Sequence, residues 1–233
     1  MAAFELALQQ GADWIETDLR QSLDGVIVCF HDETLGRTTD GKGRIFNSNY
    51  QKLKKLDAGS WFSEQYAGEK IPSLNEVLGA IKGRCVLLLE LKGSLTVQWG
   101  FLLNLKNIIQ KHNAWDWVVL QSFNRSMLVR LKQMDSRFRL FHLINYKSTV
   151  LPLFVDRIPR WGYPEMSSLA EAVNPSLKIL KEQDVGRIQK QGKKVMVWTV
   201  DKEEDMIKLL NWGVDGIITN FPDRLKLLQS KLA

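Results

Sequence analysis

The 233-residue chain has only two cysteines and no long apolar run. Cys29 and Cys85 each lie inside an apolar, strand-like segment, so we interpret them as buried thiols, and a disulfide framework is excluded. Apolar runs such as 86–89 have the length of a strand, far below the roughly 18 residues of a membrane-spanning helix. The sequence therefore predicts no membrane span and a reducing compartment, for which we expect the cytoplasm.

Other features that the sequence lacks reduce the number of functions it could have. Residues 1–10 have no basic segment or cleavage site and predict an amphipathic helix instead of a signal peptide. The net charge of +6, from 32 Lys and Arg against 26 Asp and Glu, suits an anionic partner. The cations are nevertheless scattered over helical faces without interleaved aromatic residues, so we expect no nucleic-acid partner.

Short apolar runs alternate with helical patterns along almost the whole chain. Seven runs predict strands: 14–19, 85–91, 117–123, 139–144, 170–173, 194–200 and 216–219. Helical patterns cover 74–81, 96–112, 125–134, 176–191, 202–212 and 222–232, with a further helix predicted after Tyr146. This alternation predicts a parallel sheet with covered faces, and the length fits one α/β-barrel domain spanning 1–233.

Two segments interrupt the alternation. The run 26–30 follows the first strand across a turn at Asp24-Gly25, which predicts a hairpin. Residues 33–72 are polar and rich in glycine, and they do not fit a single helix. Long loops at the carboxyl ends of barrel strands build active sites, so we interpret 33–72 as an inserted cap that selects the substrate.

Carboxylates occur on two of the predicted strands. Side chains alternate along a strand, so Glu16 and Asp18 share one face, and Glu90 and Lys92 share one face of a later strand. If the strands are neighbours, Glu16, Asp18 and Glu90 form a cluster of hard oxygen ligands that suits Mg²⁺ or Ca²⁺. Zinc is disfavoured because cysteines and histidines lack ligand spacing. The alternative is that the carboxylates only pair with Arg20 or Lys92.

Two further residues at strand ends are candidates for the site. His31 ends an apolar strand, where its imidazole could act as general acid or base, or could instead only bond to a backbone carbonyl. Trp198 ends a later strand, where an indole could line a pocket or simply pack in the core. For His142, on a buried strand, a core or supporting role is favoured over catalysis.

The motifs taken together resemble glycerophosphodiester phosphodiesterases. The resemblance rests on Gly11-Ala-Asp-Trp-Ile-Glu-Thr-Asp-Leu19, Asp24-Gly-Val-Ile-Val-Cys-Phe-His-Asp-Glu-Thr-Leu-Gly-Arg-Thr-Thr-Asp-Gly-Lys-Gly43, Leu56-Asp-Ala-Gly-Ser-Trp-Phe62, Ile71-Pro-Ser-Leu74, Leu89-Glu-Leu-Lys92, Gln121-Ser-Phe123, Val197-Trp-Thr-Val200 and Asp215-Gly-Ile-Ile-Thr-Asn220. These motifs occur in the family's order along essentially the whole chain.

The resemblance implies a TIM-type (β/α)8 barrel of the phospholipase-C-like phosphodiesterase kind. It further implies hydrolysis of glycerophosphodiesters to glycerol 3-phosphate and an alcohol, with a divalent cation, Mg²⁺ or Ca²⁺, as cofactor. By the same resemblance, the cation would bind Glu16, Asp18 and Glu90. His31 would be one of two catalytic histidines and Lys92 would contact the phosphate. Phe123 and Trp198 would line the substrate pocket.

The chain departs from the family pattern at its start. The family begins with a strand carrying a histidine-arginine-glycine motif, and residues 2–7 align with the helix that follows it. Seven barrel strands are therefore recognisable where a closed barrel has eight. One of the family's two catalytic histidines has no counterpart, and we expect strongly impaired activity. Two alternatives stay open: a related barrel phosphodiesterase that acts on lysophospholipids, and a barrel that keeps the fold as a non-catalytic binding module.

Overall fold

The computed structural model describes residues 1–92, 99–145 and 169–232. The chain divides into two compact units. The first comprises Met1–Gln9 and Asp13–Val118, and the second comprises Gln10–Ala12 and Val119–Ala233. A single domain spanning 1–233 therefore stays a prediction from sequence.

The first unit is built on three strands in the order β2-β1-β3. Its elements are α1 (Ala2–Gln9), β1 (Trp14–Gln21), β2 (Ile27–Cys29), α2 (Tyr50–Leu53), α3 (Leu74–Ile81), β3 (Val86–Leu91) and α4 (Trp99–Lys111). Strand β2 pairs antiparallel with β1, as the predicted hairpin requires, and Gly25 in its turn has φ +83°. Strand β3 pairs parallel with β1 and is buried after its first residue, which is typical of a strand covered on both faces.

The segment 33–72 is irregular, as its glycines and polar residues predict. Besides α2 it contains two 3-10 helices, Ile45–Asn47 and Glu64–Tyr66. Its apolar residues pack with those of β2 into a small core of their own: Val28, Phe30, Leu35, Ile45, Leu53 and Ile71. The insertion is therefore anchored by buried side chains, although regular secondary structure is short within it.

The second unit carries five strands in the order β4-β5-β6-β7-β8. Its elements are β4 (Val118–Ser122), α5 (Arg125–Met134), β5 (Leu140–Ile144), β6 (Ala172–Pro175), α6 (Glu182–Gln189), β7 (Lys194–Val197), α7 (Glu203–Asn211), β8 (Gly216–Ile217) and α8 (Pro222–Leu232). Each of these strands pairs in parallel with the next one in this order. Residues from the strands and from α6, α7 and α8 share one hydrophobic cluster, which holds these helices against the sheet.

The described part of the chain contains every strand that the apolar runs predict. The helix predicted over 74–81 is confirmed as α3, which begins with a capping box formed by Ser73 and Glu76, and both cysteines are buried and free. The helix predicted over 176–191 begins only at Glu182, because Lys181 before it is extended (φ −120°). The helix predicted after Tyr146, and the first residues of the helix predicted over 96–112, lie outside the described residues. Within the described ranges no helix has the length and apolar character needed to cross a bilayer.

Candidate active site

Strands β1 and β3 bring three carboxylates together. Their parallel register pairs Asp18 with Glu90, and because side chains alternate along β1, Glu16 lies on the same face as Asp18. One carboxylate oxygen from each of the three residues lies within 4.8 Å of the others. Glu90 is only 7% exposed, so the cluster extends from the surface into the interior. The grouping expected from strand alternation is therefore present.

Lys92 places its ammonium group on two of these carboxylates. Its Nζ lies 3.0 Å from Asp18 Oδ1 and 2.5 Å from Glu90 Oε1. Burial raises the pKa of Glu90, since desolvation disfavours its charged form, and the attraction of Lys92 opposes that shift. Burial alone would lower the pKa of Lys92, but attraction to Glu90 and Asp18 outweighs it and raises that pKa. The ion pairing with Lys92 considered from the sequence is thus real, and it coexists with the carboxylate cluster.

The donor set fits a hard divalent cation. Calcium binds oxygens at roughly 2.3–2.6 Å and magnesium at roughly 2.0–2.1 Å, so oxygens around one ion lie within about 4–5 Å of each other. The three carboxylates satisfy this spacing. With Lys92 they form a group of three negative charges and one positive charge, a formal net charge of −2 that a divalent cation would neutralise.

His31 follows β2 at the edge where Asp18 lies. The backbone N–H of Phe30 donates to the Asp18 carbonyl at 2.9 Å, which fixes the chain just before the histidine. The His31 carbonyl accepts a hydrogen bond from Arg20 Nε at 2.9 Å, while its side chain remains 62% exposed. An imidazole held at its backbone and open to solvent is available to a substrate.

A carboxylate that the sequence reasoning left without a role contacts the imidazole. Asp32 Oδ1 lies 2.6 Å from His31 Nδ1, and Arg37 donates to both oxygens of Asp32. The sequence signal for Asp32 was its position next to His31. Arg37 lies in the same 24–43 motif that carries the family resemblance, but its contact with Asp32 depends on the path of the loop.

The second unit holds the two predicted pocket residues side by side. The rings of Phe123 and Trp198 pack edge to face, with centroids 5.5 Å apart and planes at 79°. Trp198 Nε1 donates to the Asn174 carbonyl at 2.8 Å, which fixes the indole. The Asn174 side chain in turn donates to Gln121 Oε1 at 2.8 Å. Sequence reasoning missed this amide pair, whose only signal was two polar residues on buried strands.

His142 belongs to the core of the second unit. It is 2% exposed and lies on the same face of β5 as Ile144, which packs into the cluster formed with the helices. Burial, and to a lesser extent the charge of Arg125, lowers the pKa of His142 to about 4. The imidazole is therefore neutral near pH 7, in agreement with the core role favoured from the sequence.

Comparison with known proteins defines the class of fold first. A solved structure of an Oleispira antarctica phosphodiesterase in complex with the product sn-glycerol-3-phosphate matches with a TM-score of 0.86 and 30% identity, covering 98% of this chain and 90% of that one. The chain thus has the TIM-type α/β fold of these phosphodiesterases.

The family follows from the sequence comparison. The model of the glycerophosphoryl diester phosphodiesterase family matches residues 1–224, and the chain belongs to this family. A Bacillus subtilis glycerophosphodiester phosphodiesterase is 33% identical over 95% of this chain and 78% of its own length. Another from Caldanaerobacter subterraneus is 35% identical over 97% of this chain and 89% of its own length. The resemblance stated from the motifs is confirmed.

Proposed function

We propose that this enzyme hydrolyses glycerophosphodiesters to glycerol 3-phosphate and an alcohol, with a divalent cation bound by Glu16, Asp18 and Glu90. The observation that carries the proposal is the convergence of these carboxylates within 4.8 Å beside the Lys92 ammonium. Membership of the phosphodiesterase family supports the same reaction. Relatives that carry the name glycerophosphodiester phosphodiesterase support the substrate class.

A cation held by the cluster, together with the Lys92 ammonium, would bind the anionic phosphodiester through opposite charges. A divalent cation at such a site supplies a Lewis acid that polarises a phosphoryl oxygen. Lys92, held by Asp18 and Glu90, presents a fixed positive charge that a phosphate oxygen can approach. An ammonium already oriented by two carboxylates needs little reorganisation as negative charge develops on the phosphate, and this favours the transition state.

His31 would transfer the proton that the hydrolysis requires. Its ring is exposed, and one ring nitrogen is engaged by Asp32, which leaves the other nitrogen for the reacting oxygen. In this role it takes a proton from the attacking oxygen or gives one to the leaving oxygen, a contribution of about 10²- to 10⁴-fold. Phe123 and Trp198, packed edge to face, would offer an apolar wall to the carbon atoms of the substrate.

Release of glycerol 3-phosphate from glycerophosphocholine, measured with Mg²⁺ and separately with Ca²⁺, tests the proposal. We expect the wild-type chain to release it and His31→Ala to lose about 10²-fold or more in kcat. His112→Gln is the matched control, because His112 contacts Asn75 at the end of a helix and is not in the cluster. Absence of cation-dependent release, or full activity of His31→Ala, would contradict the proposal. Faster turnover of lysophosphatidylcholine would assign the alternative substrate class.

A further inference from the structure

A chain of two hydrogen-bonded contacts runs from the insertion to His31. Arg37 Nε donates to Asp32 Oδ2 at 2.5 Å, and Arg37 Nη2 donates to Asp32 Oδ1 at 2.9 Å. Asp32 Oδ1 also faces His31 Nδ1 at 2.6 Å. Both oxygens of one carboxylate are therefore engaged by a planar guanidinium, the arrangement that fixes a carboxylate most strongly.

This geometry determines which nitrogen of His31 carries a proton. Hydrogen bonds from Arg37, and secondly from His31, hold the pKa of Asp32 well below its usual range, so the carboxylate is ionised near pH 7. An ionised carboxylate can only accept hydrogen bonds. His31 Nδ1 must then be the donor, and in the neutral ring the lone pair lies on Nε2.

Arg37 is held in place from the insertion. Two residues before it, Leu35 is fully buried in the core of the insertion, and its backbone N–H donates to the Gly43 carbonyl at 2.9 Å. The guanidinium carbon of Arg37 lies 6.0 Å from the centre of the Trp61 ring, within the range of a cation–π contact. The contacts of Arg37 therefore join the insertion to the carboxylate that orients His31.

We propose that Arg37 is a positioning residue for the hydrolysis: through Asp32 it holds His31 in the Nδ1-protonated form that presents Nε2 to the reacting oxygen. The inference rests on the proposed role of His31. It gives the insertion a role besides the substrate selection predicted from the sequence, namely to complete the orientation of a proton-transferring group.

The first test is steady-state kinetics on glycerophosphocholine. We expect Arg37→Ala to lower kcat about 10- to 100-fold, comparable to the loss when the partner that orients a metal-bound histidine is removed, with little change in KM. Arg37→Lys keeps the positive charge but cannot donate two parallel hydrogen bonds to the carboxylate, so it should recover part of the lost kcat. Arg137→Ala is the matched control, because Arg137 makes a similar two-point pair with Asp135 and is similarly exposed (54% against 57%).

A second test asks whether Arg37 acts through His31. If it does, Arg37→Ala should cost nothing further when His31 is already replaced by Ala, because residues that act as a unit are not additive. Full additivity of the two losses would overturn the inference. If His31→Ala alone has no effect, the proposed function itself fails, and this outcome is distinct from an ineffective Arg37→Ala.

A third test needs no turnover. With three histidines in the chain, the ring ¹⁵N signals of His31 can be assigned by comparison with His31→Ala. We expect one protonated Nδ1 and one unprotonated Nε2 in the wild type, and a mixture of the two neutral forms in Arg37→Ala. An unchanged spectrum in a folded Arg37→Ala protein, with unchanged kcat, would overturn the positioning role and leave the proposed function standing.

Discussion

Both units bury polar side chains, but the partners of these side chains differ: the first unit uses an ion pair and the second a neutral amide pair. In the first, Glu90 is 7% exposed and lies against the Lys92 ammonium. In the second, Asn174 is fully buried and needs only a neutral amide, Gln121, as acceptor for its side-chain N–H. Burying a charge costs far more than burying an amide, so only the charged group requires an opposite charge. A cluster that retains net negative charge can also bind a cation, whereas the neutral pair serves packing and orientation.

Loss of a carboxylate from the charged cluster should have the largest effect. Glu90→Gln keeps the size of the side chain but removes one anionic ligand. We expect kcat to fall about 10³-fold, since a cation of this kind contributes several kcal/mol to the transition state. Isothermal titration with Mg²⁺ or Ca²⁺ should show weaker binding, and Glu171→Gln, which removes an exposed partner of Arg139, serves as control. Unchanged cation affinity would show that Glu90 is not a ligand.

Removal of the ammonium should make the free energy of unfolding depend more strongly on the cation than it does in the wild type. Lys92→Met leaves Asp18 and Glu90 without their shared partner. Breaking a buried ion pair on one side typically costs about 3–5 kcal/mol, and a bound cation would offset part of this by mass action. We expect urea unfolding in the presence of a chelator to show the full loss in the free energy of unfolding. Excess Mg²⁺ or Ca²⁺ should reduce this loss. A loss that no cation reduces would contradict the assignment of the cluster.

The stability contributed by the neutral pair of Asn174 and Gln121 should not depend on the cation. Asn174→Ala removes the donor to Gln121 Oε1, and we expect a loss of about 1–3 kcal/mol in the free energy of unfolding. Asn104→Ala is a fitting control, because its bond to the Gly25 carbonyl is less buried and should cost less. Urea unfolding with and without divalent cation should give the same loss for Asn174→Ala. Dependence on the cation would remove the distinction between the two clusters.

The smallest effect concerns a charged group nearer the surface. Burial opposes ionisation of Glu76, but hydrogen bonds from Lys54, Tyr50 and Ser73 outweigh it and lower the pKa to about 2. Because the folded pKa lies below the usual 4.5, this stabilisation is complete above pH 4.5 and is lost as the pH falls towards 2. Its exposure limits the effect to below about 1 kcal/mol.

The pH dependence can be isolated with one variant. We expect the difference in unfolding free energy between wild type and Glu76→Gln to shrink as the pH falls from 6 to about 3. Chemical unfolding at each pH measures it. A difference that stays constant over this range would show that the Glu76 charge does not contribute.

Sequence reasoning predicted most of the fold because its signals are local. Each apolar run corresponds to a strand in the structure, and the helical pattern over 74–81 has the bounds of α3. The start of α6 was wrong by six residues, since the segment before Glu182 is polar enough to fit a helix but lies extended at Lys181. Boundaries depend on tertiary contacts that periodicity does not record.

The candidate site, like the fold, was predictable from the sequence only where the signal is local. Alternation along β1 and β3 by itself placed Glu16 with Asp18 and Glu90 with Lys92, because the two-residue period of a strand is a property of the local backbone. Only the tertiary structure decided that β1 and β3 are neighbours in register, that Arg37 reaches Asp32, and that Asn174 meets Gln121, 53 residues away. Contacts between distant residues depend on the path of the folded chain, and no local pattern specifies that path.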